Sequence, residues 1–111
     1  MKIKALLMKP MELPKVVEIE NKLEVLQKTV GGYIQVIYPF PEPVGIICND
    51  EGKLMGQPLN RSLCDENGNI YDVIAGDFLI VGLGEDDFIS LSDELIEKFK
   101  DKYNHIEFFY I

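Results

Sequence analysis

Residues 76–83, GDFLIVGL, decide how this chain folds. They form its most apolar run and read as a strand central to a sheet. Working outward, residues 33–38, YIQVIY, alternate and are β-branched or aromatic, which predicts a second strand. VGIIC (44–48) and KLM (53–55) flank Asn49-Asp50-Glu51-Gly52, whose turn chemistry predicts a hairpin. A similar turn, Asp65-Glu66-Asn67-Gly68-Asn69, follows. CNDEGKL and CDENGNI align without gaps, but seven residues are too few to make a repeat. The segment PFPEP (39–43) lacks three amide donors and must be a loop or a sheet edge.

Near the N-terminus, IKALLM (3–8) reads as a buried strand. Pro10 and Pro14 bracket a loop, and KVVEI (15–19) alternates as a further strand. Asn21 with Glu24 three residues on has capping-box spacing. Leu23, Leu26 and Val30 share one helical face, and Gly31-Gly32 supplies the stop, so a short helix is expected over about 22–30. Ser92 is the expected cap of a second helix, with Asp93 and Glu94 in its first turn and Leu91 and Ile96 as a hydrophobic staple. Ile96, Phe99 and Tyr103 form its apolar face. The tail HIEFFYI (105–111) is expected to pair as a final strand or to pack on the core, and either a place within the sheet or a homo-oligomer would cover it. The expected architecture is one α+β domain over residues 1–111: a mostly antiparallel sheet of about six strands with two short helices packed on it.

The composition narrows the function. The 111 residues are 47% hydrophobic and 27% charged, ordinary values for a globular domain. The net charge is −8, and all of it falls in residues 61–111, which carry 4 basic and 12 acidic residues. That half repels a phosphate backbone, so direct nucleic-acid binding is not expected. No apolar run is long enough to span a membrane, and MKIKALLMKPMELPK reads as a first strand rather than a signal peptide. A cytoplasmic location is expected. Without a secretory signal, Cys48 and Cys64 are expected as buried free thiols, and the Asn60-Arg61-Ser62 sequon carries no weight.

Most chemical motifs fail on spacing or charge. Gly82-x-Gly84 follows a strand, but Asp87 stands at the third glycine position, and the acids 85–87 would meet a pyrophosphate. Asp65, Asn67 and Asn69 begin like a calcium loop, but Ile70 and Gly76 occupy the positions that need Gly and Glu. Three Cys/His residues are too few for structural zinc, so no metal or cofactor is expected. His105 is assigned to capping helix carbonyls. Ser62, Ser90 and Ser92 lack a nucleophile context, and no catalytic residue emerges.

Arg61 stands apart as the only arginine among 11 basic residues. It lies in LMGQPLNRSL (54–63), which lacks strand alternation and reads as a loop fixed by Pro58. An arginine fork beside Asn60 and Gln57 can hold a carboxylate or phosphate bidentately. Tyr33 would add a stacking face, with burial in the core as its other fate. The expected ligand-binding set is thus Arg61, Asn60, Gln57 and Tyr33, with a small anionic ligand or a host protein as partner. On this reading, Arg61→Lys changes stability by less than about 1 kcal/mol, as at an exposed site. The structural alternative has Arg61 paired with an acid of the C-terminal half and pinning the loop.

VEIEN (17–21), GGY (31–33), NDEGKL (49–54), GQPLNR (56–61), GD (76–77) and SLSDEL (90–95) occur in an order that resembles domain of unknown function 3846, a small family of bacteria, phages and mobile elements. The resemblance covers residues 15–103, and Leu59 departs from it where a second proline is common. It implies no activity but a setting, a small cytoplasmic protein of a phage or mobile element. Three classes of function follow. The first is a non-enzymatic binding protein acting in counter-defence by sequestering a nucleotide-like signal or a host protein. The second is an acidic DNA mimic, and the third a cryptic enzyme acting on a phosphorylated ligand.

Overall fold

The computed structural model describes residues 1–109. The elements are β1 (Lys2–Met8), β2 (Lys15–Glu20), α1 (Leu23–Val30), β3 (Ile34–Ile37), β4 (Val44–Asn49), β5 (Leu59–Cys64), β6 (Ile70–Ala75), β7 (Phe78–Leu83), β8 (Phe88–Ile89) and α2 (Asp93–Lys102). The main sheet runs β2-β1-β7-β4-β3, with β8 also paired to β7; β5 and β6 form a separate two-stranded sheet. Every pairing is antiparallel. The α+β class holds, and β7 is the central strand that its composition predicts.

The reason for that composition is burial on both faces. Phe78 and Ile80 point into a core closed by Ile96 and Phe99 of α2, by Tyr103 just after it, and by Leu63 and Ile74 of the β5–β6 hairpin. Leu79 and Val81 point the other way, toward Leu26 and Val30 of α1. A strand buried on both sides shows a continuous apolar run instead of alternation. Helix α2 starts as expected: the Ser92 hydroxyl oxygen accepts from Leu95 N at 3.2 Å, and Leu91 and Ile96 are both buried. Gly31 ends α1 at φ 81°, with its N–H on Gln27 O.

Four expectations are corrected. KLM is no strand, because β4 already has β3 on one side and β7 on the other and has no free edge to offer. Residues 50–56 close on themselves instead, with Met55 N donating to Glu51 O at 2.9 Å. The supposed loop around Arg61 is strand β5; a register shift between Leu59 and Arg61 lets Asn60 and Arg61 both face inward and so hides the alternation. Asn21 does not cap α1. Its amide donates to Asp87 Oδ1 (2.9 Å) and Phe88 O (3.2 Å), tying β2 to the turn before β8, and Lys22 takes the cap position without a side-chain bond. The tail forms no strand up to Phe109, and Ile106 and Phe108 stay exposed and do not pack on the core; Tyr110 and Ile111 lie outside the described residues.

The cysteines are both free, Cys48 buried as expected but Cys64 exposed, since it ends β5 where the hairpin turns outward. No helix among the described residues is long and apolar enough to cross a membrane.

Candidate functional site

The sequence-derived set does not open as one site. Arg61 is 0% exposed. Its two terminal nitrogens are spent inside the protein: Nη1 donates to Asn60 Oδ1 at 2.9 Å, and Nη2 donates to Glu12 O at 2.7 Å and Tyr103 O at 3.5 Å, while the buried Nε has no partner among the described residues. No acid pairs with it among the described residues; it pins the structure through the Asn60 amide oxygen and two backbone carbonyls and not through a carboxylate. Burial lowers its pKa, and the nearby Glu107 acts in the opposite direction. Asn60, also buried, donates to Met8 O (2.9 Å) and Gly76 O (2.8 Å). The two residues therefore bind β1, the turn before β7, the loop after β1 and the end of α2 into one joint.

Gln57 lies beside that joint, its Nε2 donating to Val30 O at 3.4 Å and its buried Oε1 unpartnered among the described residues. It packs where a side chain on Gly76 would stand, and the φ of 81° there favours glycine as well. Gln57, Gly76, Lys9, Lys28, Glu12 and Asp77 border a shallow cleft of about 530 Å³. Tyr33 is not in the core. It is 73% exposed just before β3, and no hydrogen bond joins its side chain to the other three.

A second cleft gathers more chemistry. It measures about 650 Å³ and lies between the β5–β6 hairpin, the Pro39-Phe40-Pro41 turn and the segment that follows α2. Aromatic walls come from Phe40, Tyr71 and Tyr103. Phe40 meets Tyr103 edge-on at 6.5 Å and Phe99 at 4.7 Å, so its ring is held from behind. Lys102 Nζ lies 5.8 Å from the Phe40 ring and 5.9 Å from that of Tyr103. Burial, helped by Glu107, pushes the Tyr103 hydroxyl well above the ordinary phenol range and keeps it protonated.

Glu107 fastens the rim. Its carboxylate accepts from the Ser62 hydroxyl and from Ser62 N, the latter at 3.2 Å, while His105 Nε2 stands 3.7 Å from Glu107 Oε2. The His105 ring thus turns to Glu107 and makes no hydrogen bond to a helix carbonyl. The carboxylate lies between serine and imidazole. A hydrolytic relay needs the imidazole against the hydroxyl, so this order holds the rim and does not activate Ser62. Among the described residues, no cluster of His, Cys, Asp and Glu is arranged to hold a metal ion.

Sequence reasoning missed this cleft because its walls come from segments far apart in the chain. The available signal was the outward phase of Ser62 and Cys64 on β5, legible only once the register shift is known. No curated protein and no solved structure matches the chain. The motifs GGY, NDEGKL, GQPLNR and GD, by contrast, meet in space around Gln57, where Gly31, Gly52 and Gly76 each leave room for its amide. A family model spans this set and nearly everything around it: over residues 1–104, the chain belongs to the family described as a domain of unknown function (DUF3846).

Proposed function

We propose that this chain is a small non-enzymatic binding protein that sequesters a flat aromatic ligand in the cleft between Phe40, Tyr71 and Tyr103. The setting inferred from the sequence, a phage or mobile element countering host defence, belongs to the same proposal. One observation carries it: three aromatic side chains surround about 650 Å³ beside hydrogen-bonding groups. That volume lies within the range of small-molecule sites, about 300–1,000 Å³. A ring can stack on Tyr71, which is 57% exposed, while Lys102 offers one cation. Asp65, Glu66 and Glu107 border the same space and disfavour a polyanion. The ligand class is a nucleoside or a nucleotide with a single phosphate.

Calorimetric titration with adenosine, guanosine, cytidine, uridine and their monophosphates tests the proposal. At least one should bind. Tyr71→Ala should then weaken it about fivefold or more, consistent with about 1–3 kcal/mol for one stacked base. Absence of binding across the panel, or affinity untouched by Tyr71→Ala, would refute it.

A further inference from the structure

The edge strand β3 is built differently from the opposite edge. Both ends of the main sheet are open, at β2 and at β3. Strand β2 carries Lys15, Glu18 and Glu20 along its length, the charged pattern that discourages edge-to-edge pairing. Strand β3 has no such protection. Residues 29–41, TVGGYIQVIYPFP, contain no charged side chain, the longest such stretch in a chain of net charge −8. Tyr33 and Tyr38 flank the strand at 73% and 64% exposed.

The hydrogen-bond phase shows which backbone groups are free. Asp50 N donates to Tyr33 O at 2.8 Å, and Gln35 and Ile37 follow in the same register on β4. Residues 33, 35 and 37 therefore turn their backbone groups to β4, while Ile34 and Val36 turn theirs outward, with no partner among the described residues.

From this edge we infer that β3 pairs antiparallel with β3 of a second copy, joining two sheets across a two-fold axis through Val36. Charge selects the occupant. Two acidic chains can meet at this stretch without setting carboxylate against carboxylate, and a two-fold contact needs one self-complementary patch. The pleat fixes the register. Directly opposed residues must lie on the same face of the sheet, so Val36 meets its own copy and Ile34 meets Tyr38 of the second chain. The exposed Tyr38 ring then covers Ile34, and the outward amides and carbonyls of both strands are satisfied. This contact stands independently of the proposed ligand cleft.

Light scattering over a range of protein concentrations reads the assembly. The unmodified chain should show twice the monomer mass. The double variant Gln35→Lys/Tyr38→Lys alters two exposed side chains and should run as a folded monomer, with an unchanged circular-dichroism spectrum and a melting temperature that no longer depends on protein concentration. In a Cys64→Ser background, Val36→Cys should cross-link to its own copy on oxidation and Gln35→Cys should not, because the Cα–Cα spacing of about 5.5 Å at a hydrogen-bonded pair suits a disulfide. A monomer at every concentration, a dimer indifferent to both lysines, or cross-linking at position 35 in place of 36 would overturn the assignment.

Discussion

Arg61 Nη2 donates to the carbonyl oxygen of Glu12 at 2.7 Å, joining β5 to the loop after β1 across 49 positions of sequence. The same nitrogen reaches Tyr103 O, at the end of α2. One guanidinium thus holds three separate parts of the chain, and it forms part of the support behind the aromatic cleft.

Replacing Arg61 with Lys keeps the charge and removes the fork. A single ammonium cannot reach Asn60 Oδ1, Glu12 O and Tyr103 O together. Leaving the buried Asn60 Oδ1 and Tyr103 O unpartnered costs about 1–3 kcal/mol for each group. Urea denaturation should therefore show Arg61→Lys destabilised by more than about 2 kcal/mol. A change under about 0.5 kcal/mol, the usual size for a surface substitution, would show that Arg61 is no pin.

Gly76 and Gly68 share a left-handed φ of 81°, but a side chain at Gly76 would run into Gln57, whereas Gly68 faces open space. Each alanine substitution carries the cost of that backbone conformation, about 1–2 kcal/mol. Gly76→Ala should lose clearly more stability than Gly68→Ala, and adding Gln57→Ala should recover the difference. Equal losses at the two glycines, measured by thermal melts, would dismiss the packing argument.

Acid should act on the fold with two signs. Hydrogen bonds hold Glu20, Glu42, Asp72 and Asp87 below their ordinary pKa values of 4.5 and 3.8: from the N-terminal ammonium, Lys98, Lys53 and Asn21 respectively. Their contribution is present above those values and is lost as pH falls through the lowered folded ones. Asp77 is raised from 3.8 chiefly by burial, so its ionised form weakens the fold at neutral pH. Urea midpoints should fall for the native chain below about pH 4. Asp77→Asn should raise the midpoint at pH 7, and its advantage should vanish at pH 3. An Asp77→Asn advantage that persists unchanged at pH 3 would contradict the burial argument.

The fold was legible where local pattern and tertiary demand agree. The run at β7, the stop at Gly31-Gly32, the Ser92 cap and the turn at 65–69 are all local chemistry, and all of them hold. The failures have tertiary causes. Nothing near KLM reveals that both edges of β4 are taken, and a one-residue irregularity at Asn60 disguises β5 as a loop. Arg61 stands out in the sequence by its rarity, but its burial depends on that same irregularity. The cleft was out of reach because Phe40, Ser62, Tyr71 and Glu107 come together only once the hairpin folds over α2.

Cys64 gives the most direct test of the ligand cleft, because its exposed thiol lines that space. Cys48 is an internal control, buried with its pKa pushed up to about 11. Iodoacetamide followed by intact-mass measurement should modify one thiol, Cys64, in the folded protein and both in denaturant. Saturation with whichever nucleoside or monophosphate binds in the titration should slow alkylation of Cys64 at least tenfold and leave Cys48 silent. Alkylation of Cys64 at the free rate in the saturated protein would place the ligand elsewhere and contradict the account.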